Sequence, residues 1–399
     1  MDEALRDLLA QFDRPQPISV SLKEGEGLVL ARPLVCGEVH PAHDTSAMDG
    51  YAVSAQCLKS ASPSEPVLLQ MVEDIRAGFP PEQTLRPGQT SRISTGGLVP
   101  SGADAVVMRE VVEVTGAEIK FSAPVEPGLN IRFRGEHLGE NDEVVPAGRV
   151  VNPAVVGMAA YLGVDRLEVF PTVSVAVLAT GSELVGSGTA LAKGQIRDSN
   201  SVSLAAALRQ LGCRVTMQER VPDDPERLDE ALERAFSSSR VVMTSGGISA
   251  GWHDLVRQRI EKLGGQFTFH KLKMRPGKPL AFGRCQDSHF FCLPGNPVSS
   301  MVTFEVFVKP ALLKLMGRPF EAVYLEAFLE EEIRKKPGFS IFYRGVMRQA
   351  ADGTRRVKLT GPQGSHILRS LVDANVLVRT EEEDETLSAG SAVKVLPYG

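Results

Sequence analysis

Apolar positions along the chain change rhythm twice. Leu5, Leu8, Leu9 and Phe12 recur at helical spacing and predict a helix over residues 2–12. From about residue 38 to 139 the pattern becomes irregular and β-like, with short apolar runs such as "PVLLQMV" and "DAVVMREVVEV". Gly/Pro-rich turns such as "AGFPPEQTLRPGQ" separate those runs. "NPAVVGMAAYLGV" predicts a helix. Beyond Pro171 strands and helices alternate. "TVSVAVLATG", "CRVTMQERV", "RVVMTSGG", "QFTFHKLKM", "PLAFG" and "HFFCLPG" read as strands. "SVSLAAALRQLG", stopped by Gly212, "DPERLDEALERAF", capped by Asp224, and "WHDLVRQRIEKLGG" read as helices, as does Pro297 to about Met316. This alternation predicts a mostly parallel sheet with helices on both faces, where ligands collect at the carboxyl ends of the strands. After Arg318-Pro319 the chain is β-rich to its end, with turn signals "KKPG", "ADGT", "GPQG" and "SAG", and predicts a small all-β module.

The 399 residues are 43% hydrophobic and 23% charged, enough apolar material for several cores. A formal charge of -5 argues against a broad nucleic-acid surface and favours a small-molecule or protein partner. Cys36, Cys57, Cys213, Cys285 and Cys292 lack CxxC spacing, which fits reduced thiols better than a disulfide framework or a zinc site. The acidic, amphipathic start "MDEALRDLLAQF" is no signal peptide, and the apolar stretch from Pro297 carries Glu305 and Lys309, which spoil it as a membrane span. The expected location is cytoplasmic.

Four strand ends carry unusual loops. "LATGSEL" places Thr180, Gly181, Ser182 and Glu183 at one, and "TSGGISAG" places Ser245, Gly246, Gly247 and Ser249 at another. "KMRPGKP", with Lys271 just before it, brings Lys273, Arg275 and Lys278; "LPGNPVSS" turns a strand directly into a helix at Asn296, Ser299 and Ser300. Glycine lets backbone N–H groups approach a ligand, and a helix start adds partial positive charge, so together they suit phosphate. Glu183 and Asp254 would repel phosphate alone and make sense beside a divalent cation such as Mg²⁺. Asp223-Asp224 reads as a capping pair. No Walker loop, GxGxxG or GxSxG occurs. "HDTSAMDGYAV" raises a separate question, because Asp49 has no cationic neighbour in sequence.

"SAMDGYAV", "RISTGGLVP", "NIRFRGE", "ATGSEL", "TSGGISAG", "KMRPGKP", "LPGNPVSS", "FYRGV" and "GSH" occur in this order over nearly the whole chain. The set resembles the molybdopterin molybdotransferase family (MoeA, the bacterial relative of the gephyrin E-domain). The resemblance implies a multidomain α/β protein. It would have a central three-layer molybdopterin-binding domain at 172–318 and a β-rich projecting domain at 38–139. A linking domain would come from 1–37 with 140–171, and a C-terminal β-barrel from 319–399. It implies molybdenum insertion into adenylylated molybdopterin with release of AMP, helped by Mg²⁺, in an elongated homodimer. Asp49 and Thr95 would then complete a cleft on the other subunit. Glu183, Asp223 and Asp254 match the family's acids and would hold the metal; Lys271, Arg275 and Lys278 match its basic residues. Thr180, Gly181, Ser245, Gly246, Gly247 and Ser249, with Asn296, Pro297 and Ser299 of the strand-to-helix turn, would bind the substrate. Arg344 and Ser365 match barrel positions that face the cleft and would contact molybdate with Lys278. The upstream adenylyltransferase and downstream molybdoenzyme chaperones are further partners it implies.

One departure stands out: His137 follows "RGE" where many relatives carry an acid, which leaves that acid's role to Glu136 or makes it dispensable. Arg275 replaces a lysine seen in some relatives, keeping charge but changing geometry. Two other activities compete: molybdopterin adenylyltransferase, which needs only one domain, and a gephyrin-like scaffold, for which the chain lacks a long Pro/Ser linker. Tungstate is an alternative oxyanion of similar size and charge.

Overall fold

A computed structural model describes residues 1–247, 255–269, 272–318, 320 and 323–398. The chain divides into two compact units, one of residues 1–32, 147–156 and 166–399, the other of 33–146 and 157–165.

The first unit is built on a six-stranded sheet. Its strands run in the order Arg214–Val221, Ser174–Thr180, Val241–Ser245, Ser288–Leu293, Ala281–Cys285, Gln266–Phe269. The first four are mutually parallel, Ala281–Cys285 runs against them, and Gln266–Phe269 pairs antiparallel with it and so regains their direction, which makes the sheet mostly parallel. Alternate residues of the central strand serve opposite faces. Val175 and Val177 join Leu204, Leu208, Phe291 and the helix from Val298, whereas Ala176 and Leu178 join Leu228, Leu232, Phe236 and Ile260. Burial on both faces explains why "SVAVLA" reads as a continuous apolar run.

Local signals hold the helices in register with this sheet. The Asn200–Leu211 helix ends at Gly212, whose φ of 93° only glycine adopts freely. Asp224 accepts from the Arg227 N–H at 2.9 Å, and Pro225 occupies the first helical turn. The last helix is continuous from Pro297 to Leu315, but residues Phe304–Val308 form a π-helical turn. Pro310 follows directly, and its missing N–H leaves the preceding turn without a normal α-helical donor.

"QFTFHKLKM" departs from the single strand it predicts. Gln266–Phe269 stays in the sheet, while Met274–Arg275 pairs in parallel with Ser340 and Ile341 of the C-terminal module. That module is a closed five-stranded barrel. Ser340–Gln349, Arg355–Leu359, Leu325–Leu329, Ala392–Pro397 and Val376–Thr380 follow one another round to Ser340–Gln349. Its interior is filled by Leu329, Val357, Val376, Val378 and Val395. The N-terminal helix, Asp2–Ala10, buries Leu8 in the main core, and Asp2 grips Arg379 of the barrel with both oxygens, at 2.8 and 2.9 Å.

The second unit holds its own six-stranded sheet, in the order Ala105–Met108, Gly50–Val53, Gln89–Ile93, Val67–Ile75, Glu118–Phe121, Glu113–Thr115. Tyr51, Val53, Leu58, Leu69, Ile119 and Phe121 form its main core. Gly50 sits where any Cβ would collide with the Val107 carbonyl, so strand pairing accounts for the glycine that follows Asp49. Residues 38–139 lie wholly within this unit, and 140–171 are divided between the two.

Candidate functional site

A cavity of about 880 Å³ opens at the strand ends of the first unit. Thr180, Gly181, Glu183, Asp223, Gly246, Gly247 and Asn296 share its wall, so three of the four expected loops meet there. Among the described residues the fourth contributes Pro279 alone. Ser249, Asp254 and Lys271 lie outside the described residues.

The glycines are there because the loops crowd the end of the central strand. A Cβ on Gly246, whose φ is 96°, would collide with the Thr180 carbonyl. One on Gly247 would strike Val256 and come within 2.9 Å of the Thr180 hydroxyl. Yet the Gly246 N–H is committed to the Leu293 carbonyl at 3.2 Å and is not offered to a ligand. The unused group is the Thr180 hydroxyl, which is buried on the cavity wall and finds no hydrogen-bond partner among the described residues. A buried hydroxyl left in that state marks a place where a ligand or water belongs.

Two carboxylates stand beside it. Asp223 accepts from the Ser182 N–H at 3.1 Å, and the Asp223 N–H returns a bond to the Ser182 hydroxyl at 3.0 Å. This reciprocal pair ties the Thr180 loop to the neighbouring strand end and, among the described residues, leaves one Asp223 oxygen free. Asp224 is the helix cap and Asp223 is not, so the expected capping pair divides its work. The Glu183 carboxylate lies over Gly181. Among the described residues no group of three or more His, Cys, Asp or Glu converges as a metal cage.

The helix start at Asn296 offers less than its sequence promises. Pro297 has no N–H, and the Val298 N–H donates to the carbonyl of Ser365 in the barrel at 3.1 Å. Ser299 is buried, and its carbonyl accepts from the Thr303 hydroxyl at 2.6 Å. The barrel loop that carries "GSH" therefore caps this helix.

Arg344 and Ser365 do not reach the cavity wall. Arg344 is 1% exposed and turns beneath that same loop. It donates to Ser370 Oγ at 3.1 Å and to the carbonyls of Gly364 and Phe342 at 3.3 and 3.4 Å. Burial pulls its pKa down to about 10, and no carboxylate pairs with it among the described residues. The basic cluster also divides. Arg275 and Lys278 flank the Phe339 ring at 4.3 and 5.6 Å, whereas Lys273 pairs with Glu382 at 3.3 Å. Gly277 anchors the turn between them: its φ is 111°, and a Cβ would come within 2.5 Å of the Thr303 hydroxyl.

In the second unit Thr95 donates both its N–H (2.7 Å) and its hydroxyl (2.9 Å) to one oxygen of Asp49. These bonds hold the exposed carboxyl below the usual carboxylate range, aided by the charge of Arg109. Arg76, Arg92 and Arg109 line a depression of about 390 Å³ with Asp49 and Asp74. Asp49 does have a cationic neighbour in Arg109, far along the chain, so no local motif announces it; Arg76 and Arg92 pair with Asp74.

Three sequence profiles cover most of the chain: the MoeA N-terminal region (domain I and II) over residues 1–163, a probable molybdopterin binding domain over 176–314, and the MoeA C-terminal region (domain IV) over 326–398. Molybdopterin molybdenumtransferase 2 of Mycobacterium tuberculosis is 39% identical, with 95% of each chain covered. The chain belongs to the MoeA family. A molybdopterin molybdenumtransferase of Haemophilus influenzae is 34% identical over 100% of this chain and 98% of its own. A MoeA protein of Pyrococcus horikoshii has a solved structure with a TM-score of 0.85 at 30% identity, covering 100% of this chain and 98% of that one.

Membership in the MoeA family gives the position of His137 its interest. Its ring centroid lies 6.1 Å from that of Tyr161, and His40 lies 4.7 Å from the same ring. Glu136 accepts from the Phe133 N–H at 2.8 Å and so closes its own turn. The local chain is ordered here by a turn cap and aromatic packing. Among the described residues no helix is long and apolar enough to cross a membrane.

Proposed function

We propose that the protein inserts molybdenum into adenylylated molybdopterin with release of AMP, the last step of molybdenum cofactor biosynthesis. The observation that carries this reading is the strand-end cavity. It has an unused buried hydroxyl at Thr180, two carboxylates and glycine-lined walls, in a chain similar to molybdenumtransferases along its length. The single-domain adenylyltransferase would need neither the "SAMDGYA" unit nor the barrel.

The residues divide into roles. Thr180, Gly181, Gly247 and Asn296 shape the pocket for the phosphates. Glu183 and the free oxygen of Asp223 are hard donors suited to Mg²⁺, which usually takes one or two carboxylates together with ligand oxygens. Bound there, Mg²⁺ would neutralise phosphate charge and polarise the phosphoanhydride. Arg275 and Lys278, held against Phe339 in the loop that sends Pro279 to the wall, would add positive charge to the site. Arg344, which no carboxylate offsets among the described residues, would act by its charge from beneath the Gly364-Ser365 loop, a setting that favours an oxyanion dianion such as molybdate. Catalysis of this kind is positioning and electrostatic stabilisation, and none of the five cysteines is needed as a nucleophile. In a homodimer, Asp49, fixed by Thr95, would complete the cleft of the second subunit from a cytoplasmic partner chain.

An insertion assay with adenylylated molybdopterin, Mg²⁺ and either molybdate or tungstate tests this. AMP release with active cofactor, lost in Asp49→Ala, Glu183→Ala and Arg344→Ala, is the expected result. Adenylylation of molybdopterin from ATP by the pure protein would overturn it in favour of the upstream activity. The tungstate arm decides the oxyanion preference.

A further inference from the structure

Asn200 opens the Asn200–Leu211 helix, and its side chain bridges two loops of the cleft. Its Nδ2 donates to Ser245 Oγ at 2.8 Å and to the Gly295 carbonyl at 2.7 Å. Ser245 ends the strand that runs into Gly246-Gly247, and Gly295 precedes Asn296 in the strand-to-helix turn. Both loops line the cavity. They are already close, since a Cβ on Gly295 would lie 3.6 Å from Gly246 Cα.

The start of the helix is itself held firmly. Ser199 makes no side-chain cap there. Instead buried Asp198 accepts from the Ser201 N–H at 3.0 Å and from the Ser201 hydroxyl, and Gln218 donates to that hydroxyl at 3.2 Å. Asn200 is therefore presented from a fixed base. One carboxamide nitrogen carries two N–H groups, and both are used; aspartate has neither donor, and serine lacks the reach.

We propose that Asn200 is a positioning residue, a clasp that sets the spacing of the Gly246-Gly247 and Gly295-Asn296 loops around the anionic part of the substrate. The inference rests on the function proposed above and gives that site a residue beyond its wall. Because the clasp acts on bound substrate and transition state alike, its loss raises KM and spares kcat.

Steady-state insertion kinetics and hydrogen exchange test it together. Asn200→Ala is expected to raise KM for adenylylated molybdopterin about tenfold and to leave kcat within about threefold. Ser245→Ala should do less, and the double variant should be no worse than Asn200→Ala, because the bond is already gone. Amides of residues 241–247 and 291–296 should exchange faster in Asn200→Ala. Unchanged KM with a lowered melting temperature, or additive losses in the double variant, would overturn the clasp. If Asn200→Ala does not fold, Asn200→Leu keeps the volume without the donors and carries the same expectations. If the wild type neither binds nor turns over adenylylated molybdopterin, the functional reading fails, and the exchange rates alone decide the clasp: unchanged rates in both loops would refute it.

Discussion

Thr95 places its N–H and its hydroxyl on the same Asp49 oxygen, at 2.7 and 2.9 Å, so among the described residues the second oxygen of Asp49 is left without a hydrogen bond. Thr95→Val keeps the N–H and removes the hydroxyl. Its expected effect is an upward move of the Asp49 pKa, read by carboxyl NMR titration, and roughly a tenfold loss of insertion activity. Asp49→Ala should abolish activity. An unchanged Asp49 titration would show that the hydroxyl contributes nothing to this arrangement.

Gly246 is a crowded point of the cleft. Its φ of 96° disfavours any side chain, and a Cβ would collide with the carbonyl at the end of the adjacent strand. Gly246→Ala should cost about 2–3 kcal/mol in denaturant unfolding, the sum of backbone strain and displaced neighbours, and should remove activity. Gly188→Ala is the matched control, because open space surrounds that glycine. Equal stability of the two variants would show that the Gly246 loop yields freely.

Local chemistry was readable from the chain; long-range commitments were not. Asp224 as a cap, Gly212 as a stop and the two-faced burial of "SVAVLA" follow from neighbours within a few residues, and each is realised. The helix start at Pro297 looked free for an anion because its partner, Ser365, lies far along the chain in another module. Lys273 looked like one of a basic cluster until Glu382 is seen beside it. Arg109 comes to Asp49, and Arg76 and Arg92 pair with Asp74 in the same depression, only after separate strands pair. The motifs predicted which loops matter, and tertiary pairing decided which of their donors remain free.

His289 gives the fold an acid-sensitive point away from the cleft. Its ring packs 4.2 Å from that of Phe12 and stacks on Phe282 at 6.0 Å, and its Nδ1 has no partner among the described residues. Burial, reinforced by Arg240 and Arg284 and opposed by Asp13, pushes its pKa down to about 4. The unfolded imidazole takes up its proton near pH 6.5, so the unfolded state binds more protons between 6.5 and 4. Stability is complete above 6.5 and falls as the pH drops toward 4, by about 2 kcal/mol at pH 5. Denaturant midpoints at pH 7 and 5 measure it, and His289→Phe should flatten the difference. A slope that persists in the variant would assign it to another group.

Arg344 separates stability from function. Its guanidinium is buried without a carboxylate partner among the described residues, so the fold bears a desolvation cost that its hydrogen bonds only partly offset. Arg344→Met removes both the cost and the bonds, and the unfolding free energy should change by no more than about 1 kcal/mol in either direction. The apparent KM for molybdate should nevertheless rise by at least about tenfold if the cation attracts the oxyanion. A large loss of stability with an unaltered KM would make Arg344 a structural residue of the barrel.

The placement of Asp49 in one unit and of Glu183 and Asp223 in the other allows a test of whether sites cross subunits. Asp49→Ala and Glu183→Ala proteins should each be inactive alone. When they are mixed under conditions that exchange subunits, half of the dimers carry one chain of each kind. In such a dimer one composite site holds both lesions and the other holds none. Activity should therefore return to about a quarter of wild type in a twofold-symmetric assembly. If each site is built from a single chain, mixing restores nothing, and Asp49 must act within its own subunit.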